Sequence, residues 1–172
     1  MSFDYTPSLS DGVVELCLMK GTDFELLYAC ASDKVIWAEH PCKDRYKRSE
    51  MESWFDAALK SNGALKVLDM ASGDIIGSSR YYEYCSDNNS VAIGYTFLAR
   101  AYWGGEMNRR VKSLMLMHAF NYVDVVWLHI ASTNIRSQKA AEKIGAVFSH
   151  QEIKQIGGKN ELYSFYKVDQ AI

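Results

Sequence analysis

Proline is almost missing from this chain: Pro7 and Pro41 are the two in 172 residues. Together with only eleven glycines, that excludes collagen-like and Pro/Gly-rich low-complexity architectures. No apolar run nears the ~20 residues that a membrane-spanning helix needs. The polar start, residues 1–11, lacks the basic and apolar regions of a secretory signal, so a cytoplasmic protein without a membrane partner is expected. The four cysteines, Cys17, Cys30, Cys42 and Cys85, contain no Cys-x-x-Cys pair, and His40, His118, His129 and His150 are equally dispersed. Reduced thiols and no metal centre are the expectation. A basic excess is missing too. Nineteen Lys and Arg against 21 Asp and Glu leave a net charge of −2, which argues against a nucleic-acid partner. Basic side chains gather only over Lys43–Arg48, where Asp44 interrupts them, and this reads as a solvated turn before a helix.

What is present suits one domain over residues 1–172 with a sizeable core. Val13–Met19 alternates loosely and reads as an opening strand; Asp23–Ala31 reads as a short helix with Thr22 as N-cap. Ser49 and Glu52 have capping-box spacing and precede Trp54, Phe55, Ala58 and Leu59 at helical intervals, until Asn62-Gly63 stops the helix. Three strands then follow, Leu65–Met70, Ile75–Tyr84 and Ser90–Leu98, separated by turns at Ser72-Gly73-Asp74 and Asp87-Asn88-Asn89. A helix with Val111, Leu114, Met115, His118 and Tyr122 on one face comes next. Strand Asp124–Ala131, helix Ser137–Ile144 ended by Gly145, and strands Val147–Ile153 and Leu162–Val168 complete the chain. The expected class is α/β, with a mixed, mostly antiparallel sheet of six to seven strands and about four helices.

Chemistry concentrates between Ile93 and Phe148. A strand ends just before Trp103-Gly104-Gly105, and a helix begins just after. The unpaired amides of a helix start and the positive end of its dipole attract anions, and glycine lets a phosphate approach the backbone. No Lys-Ser/Thr follows the glycines and no Gly-x-Gly-x-x-Gly is present, so neither a nucleoside-triphosphate loop nor a dinucleotide fingerprint is in hand.

The run Ile93-Gly94-Tyr95-Thr96-Phe97-Leu98, then Tyr102-Trp103-Gly104-Gly105 and Asn108–Phe120, resembles the strand and pyrophosphate loop of the GNAT superfamily of N-acetyltransferases. Asn134–Ala146, with its Asn-x-x-Ser spacing, is similar to that superfamily's second cofactor motif. The nearest branch in appearance is that of the ribosomal-protein N-terminal (Rim-type) acetyltransferases. This resemblance implies the GNAT fold and acetyl-CoA as cosubstrate. The strands holding Tyr95 and Val126 would splay apart around the pantetheine, pairing it with the backbone of Phe97, Leu98 and Ala99. Trp103, Gly104, Gly105, Glu106, Met107, Asn108 and Arg109 would surround the pyrophosphate. Asn134 would meet the pantetheine, and Ser137 the thioester sulfur.

The pattern departs from the family at three places. Glu106 stands where the loop usually has Gly or Ala, and a carboxylate sits badly there unless it points into solvent. Ala141 stands where many members carry a tyrosine acid, and Arg110 where close relatives often carry Glu. The expected catalytic residues are Ser137 at the leaving thiolate, Glu83 as base and Tyr95 to orient the amine. His129 is a second candidate base or a core histidine. The acceptor stays open between a protein N-terminus or peptide-like amine and a small amine such as a polyamine, amino acid or antibiotic. A non-catalytic CoA-binding module is the alternative from another class. A monomer and a homodimer are equally compatible with the chain.

Overall fold

A computed structural model describes residues 2–170. Its strands are β1 (Leu9–Ser10), β2 (Val14–Leu18), β3 (Ala64–Asp69), β4 (Ile75–Cys85), β5 (Ser90–Leu98), β6 (Val125–Ala131), β7 (Val147–Ile156) and β8 (Lys159–Asp169). Its helices are α1 (Phe24–Ala31), α2 (Arg48–Lys60), α3 (Met107–Ala119) and α4 (Ile135–Lys143). The strands form one sheet in the order β1-β2-β3-β4-β5-β6-β8-β7. Every neighbouring pair is antiparallel except β5–β6, which is parallel. The mixed α/β class and four helices agree with expectation, but the sheet has eight strands where six to seven were expected. The addition is β1, two residues paired as Leu9↔Leu16 and Ser10↔Glu15, too short for any periodicity to register.

Two helix starts also differ from the sequence reading. Asp23, not Thr22, precedes α1, and its carboxylate accepts the Lys20 amide (2.7 Å) and pairs with Lys66 (2.9 Å). Helix α2 begins at Arg48, so Ser49 lies inside the first turn and forms no capping box with Glu52. Arg48 instead grips Glu25 through two hydrogen bonds of 2.8 and 2.7 Å, tying α2 to α1.

Strand alternation divides the core between two faces of the sheet. Leu16, Val67, Val91, Ile93, Val126 and Leu128 pack under α3 and α4, with Val111, Met115 and Ala141. Ala64, Ile75 and Phe97 pack under α1 and α2, with Leu27, Met51, Trp54 and Phe55. Strict period-two alternation would put Phe97 on the same face as Val91 and Ile93. It lies on the other one because Ser78 pairs with Phe97 while Arg80 pairs with Gly94, leaving one extra residue on β5. Tyr95 takes up this bulge at φ +53°, and beyond it every side chain changes face. A second bulge, on β4, lies between Tyr82 and Cys85 and holds Glu83 at φ +52°.

The start of the sheet is fastened to α3 by a short polar cluster. Asp11 accepts the amides of Val13 (2.9 Å) and Val14 (3.0 Å) and the Arg110 guanidinium (2.8 Å). The Val14 amide leads these contacts; with Arg110 they outweigh burial and hold the Asp11 carboxyl at about 2, below its ordinary 3.8. A folded-state value below the free-chain value stabilises the protein at pH above the latter and stops doing so as pH falls through the former. Asp11→Asn is therefore expected to lose ~1 kcal/mol at neutral pH, a figure reduced for solvent screening at this exposed residue. Urea midpoints of the two proteins should converge between about pH 4 and pH 2, and a gap that persists undiminished at the lower pH would overturn this role.

Candidate active site

Strands β5 and β6 pair at only three registers, Ser90↔Val125, Val91↔Val126 and Ala92↔Trp127. The opening therefore begins one residue past Trp127, with Val126 still paired. Beyond it lies a cleft of about 150 Å³ that passes through the sheet. Ile93, Leu128 and Ala141 line it from the α3–α4 side, and Trp37, Arg45 and Tyr163 from the opposite side. An interruption of this kind leaves backbone groups along β5 facing a gap in place of a neighbour. Ala99 donates its amide to Ile76 on β4 (2.7 Å), so by alternation Leu98 turns its backbone toward the gap. Part of that edge is already taken, because the Trp103 indole donates to the Leu98 carbonyl (2.9 Å). Phe97 presents its side chain to Trp37 and Trp54, not to the cleft.

The glycine turn leads to the start of α3. Gly104 adopts φ +75°, and a Cβ on Gly104 or Gly105 would meet no atom within 4 Å, so the turn faces open space. The first amide of this segment bonded in helical fashion is that of Arg110, to Glu106 (2.9 Å). Those of Met107, Asn108 and Arg109 thus belong to the unpaired first turn, where the helix dipole favours an anion. Glu106 points into solvent and approaches Arg109 at 3.9 Å, so its carboxylate does not fill the turn. Of this group only Asn108 reaches the cleft wall.

Across the gap, Asn134 is the N-cap of α4 and accepts the Ser137 amide at 3.1 Å. The hydroxyl of Ser137 is spared from capping, and both residues line the cleft. Arg136 binds the two halves together: its guanidinium lies 3.8 Å from the Trp103 ring centre and donates to the Ile36 carbonyl (3.1 Å). Tyr95 also lines the cleft. Glu83 does not. It opens on a neighbouring hollow with Cys85, Trp127 and His150, and the two cavities share His129 as their wall. Glu83 lies 3.7 Å from the His129 Nδ1, which the Tyr82 hydroxyl (2.9 Å) and the Lys154 ammonium (3.0 Å) both approach. Burial, with Lys154 nearby, lowers the His129 imidazole to about 3, leaving it neutral with its hydrogen on Nε2.

The profile of the acetyltransferase (GNAT) domain matches residues 14–147. The chain belongs to the GNAT acetyltransferase family. It is an acyl-CoA-dependent acetyltransferase with acetyl-CoA as cosubstrate. Among solved structures, a GCN5-related N-acetyltransferase from Brucella melitensis superposes with a TM-score of 0.81 at 20% identity, covering 95% of this chain and 78% of that one. A Vibrio cholerae protein assigned as a ribosomal-protein-serine acetyltransferase gives 0.81 at 15% identity, covering 95% and 99%. Spermidine N-acetyltransferase from Vibrio cholerae, solved with CoA and spermine, gives 0.70 at 17% identity, covering 93% and 97%. At these identities the structural matches establish fold alone. No curated protein sequence matches the chain.

The parted strands and the open α3 turn of this GNAT chain fit a long phosphate-bearing thioester. Several groups at the cleft carried no sequence signal. Lys112 follows Val111 on the inner side of α3 and is only 8% exposed. Its ammonium bonds Thr96 Oγ1 (2.5 Å), which also exchanges a hydrogen bond with Ser79 (2.7 Å). Arg45, expected in a solvated turn, is half-buried at the cleft wall, and Arg80 is 6% exposed.

Burial alone lowers the Lys112 amine from 10.5 to about 7. A lysine with a lowered folded value costs stability most below that value, and the cost disappears as pH rises toward 10.5, its free-chain value. Lys112→Met should therefore be more stable than the parent below pH 7, by an amount on the order of 3 kcal/mol. The advantage should shrink steadily toward pH 10, as read from paired urea titrations, and a pH-independent difference would rule out a buried amine that titrates.

Proposed function

We propose that this protein transfers the acetyl group of acetyl-CoA directly to a primary amine, with a protein N-terminus or peptide-like amine as acceptor. The observation that carries the proposal is the break in the sheet, with the free α3 amides at one end and the unbonded Ser137 hydroxyl on its wall. Acetyl-CoA brings an activated carbonyl whose carbon–sulfur bond breaks as the new carbon–nitrogen bond forms. The amides of Met107, Asn108 and Arg109 hold the pyrophosphate by helix-start electrostatics. Of the stretch Phe97, Leu98 and Ala99, the gap-facing backbone of Leu98 aligns the pantetheine along β5 while its two neighbours stay paired to β4, and Trp103, Gly104, Gly105 and Glu106 shape the turn beside it. Asn134 has its side-chain oxygen on the Ser137 amide, so its NH₂ remains free to donate to the pantetheine. Ser137 supplies a hydroxyl proton to the departing sulfur.

Tyr95 stands at the bulge, where it orients the incoming amine. Glu83 lies behind His129, so its part is to receive the ammonium proton through the second hollow and not by direct contact. This arrangement needs no covalent acyl-enzyme and no metal; among the described residues no three His, Cys, Asp or Glu side chains gather as a metal site. Positional catalysis with few chemical groups suits a thioester, whose carbonyl is already reactive. The reading of a peptide-like acceptor follows the likeness of Ile93–Phe148 to the ribosomal-protein branch. A polyamine acceptor is disfavoured by the wall of the cleft, which among the described residues includes no carboxylate.

Ser137→Ala should lower kcat about tenfold while the KM for acetyl-CoA changes less than about twofold, because the hydroxyl acts on the leaving group. Glu83→Gln should have a smaller effect, about threefold, concentrated at low pH, where the acceptor's ammonium is hardest to discharge. Thiol release with acetyl-CoA and an amine and peptide panel measures both, and unchanged rates in the two variants would remove these roles.

A further inference from the structure

Three buried side-chain nitrogens among the described residues have no hydrogen-bond partner: Trp54 Nε1, Arg80 Nε and Arg80 Nη2. They lie together. The Arg80 guanidinium is wedged between the Trp54 ring (5.7 Å) and the Tyr95 ring (4.1 Å), and Tyr95 lines the cleft. All three are donors. A buried donor without an acceptor costs about 1–3 kcal/mol, and more when it is charged.

Arg45, on the cleft wall beside Trp37, is in a similar position. Its Nη1 approaches His40 Nε2 at 3.2 Å, but the Cys42 amide already donates to His40 Nδ1 (2.9 Å). Burial, with Arg45 adding to it, lowers the His40 imidazole to about 3, so the ring is neutral and has one lone pair. With Nδ1 accepting, Nε2 bears the hydrogen, and donor meets donor at Arg45. The charged and titratable groups around Arg80 are Tyr95, Arg45 and Tyr82, and those around Arg45 are Cys42, Tyr163 and Tyr95; no carboxylate is among them. Glu39 is occupied by the Arg136 amide (3.0 Å). Lys112 adds a further amine to the same cleft.

We propose that the acceptor carries a carboxylate or phosphate besides its amine, and that this anion seats between Arg45 and the Arg80–Trp54 donors beside Tyr95. The inference rests on the acetyltransfer reading and narrows its substrate class to anionic amines. An anion there accepts from Arg45 and from His40 Nε2–H, both on the cleft wall, and lies in the field of the buried Arg80 guanidinium stacked behind Tyr95. Anchoring there places the amine of a short acceptor over Tyr95, at the bulge, where the strands have parted.

Matched acceptor pairs test this: an α-amino acid against its amide, phosphoethanolamine against ethanolamine, a dipeptide against its C-terminal amide, and spermidine as a polycation. Initial rates of thiol release should favour the anionic member of at least one pair by about tenfold or more in kcat/KM, chiefly through KM. That preference should fall to about threefold or less in Arg80→Gln and in Arg45→Gln, with the KM for acetyl-CoA unchanged. The second variant keeps the test valid if the first does not fold. Better turnover of neutral amines or spermidine, or a preference that survives both substitutions, would overturn the proposal. If no acceptor reacts, melting curves with inorganic phosphate and with the amino acid decide: absence of an Arg80-dependent rise overturns it equally. Failure of acetyl-CoA itself to raise Tm is a separate outcome, and it would sink the acetyltransfer reading instead.

Discussion

Two parallel strands that stop pairing after three residues impose the main constraint on this molecule. Backbone amides and carbonyls that lose a strand neighbour must find other partners, and the structure meets this need only in part. The Trp103 indole covers the Leu98 carbonyl, the sheet continues normally on the far side of β6 through β8, and the rest of the gap stays open as the cleft. The bulge at Tyr95 belongs to the same solution. It turns Phe97 into the α1–α2 core and Leu98 toward α3, so both layers reach the rim of the opening. The helices that hold the glycine turn and the Ser137 hydroxyl are then fixed relative to the break by Arg136, stacked on Trp103.

Charge is distributed unevenly about that break. The chain as a whole is slightly acidic, yet the cleft gathers Arg45 and Lys112, with Arg80 just beneath Tyr95, and no carboxylate on its wall among the described residues. Glu39, next to the Ile36–Trp37 turn, is already committed to the Arg136 amide. Burying cations without counter-charges lowers stability, and sites of this kind are where folded proteins keep strain for a ligand to relieve. Glu83, which looked like the natural base on β4, is kept outside by the second bulge and by the neutral wall of His129.

Much of the fold was legible in the sequence because its signals are local. Apolar runs bounded by turns marked seven strands, and Asn62-Gly63 and Gly145 marked helix ends; the structure closes the last hairpin at Gly157-Gly158 with φ +57° and +78°. The two-residue β1 was invisible because no period fits in two positions. Capping was misjudged at Thr22 and Ser49 for a different reason. Asp23 and Arg48 are engaged by Lys66 and Glu25, partners 43 and 23 residues away, which local spacing cannot register.

The sequence by itself determined the order of the elements after β1, the open glycine turn before α3 and the Asn-x-x-Ser start of α4, because each depends on residues within a few positions of one another. The tertiary structure alone decided which side chains face the cleft. One extra residue at Tyr95 reverses the alternation of β5, and a single turn of α3 carries Lys112 inward among apolar neighbours. Arg45, Arg80 and Trp54 lie on three separate segments, and nothing in their spacing announces that they meet. Their meeting follows from the packing of α2 on the sheet, and long-range packing of that kind is written in no short stretch of chain.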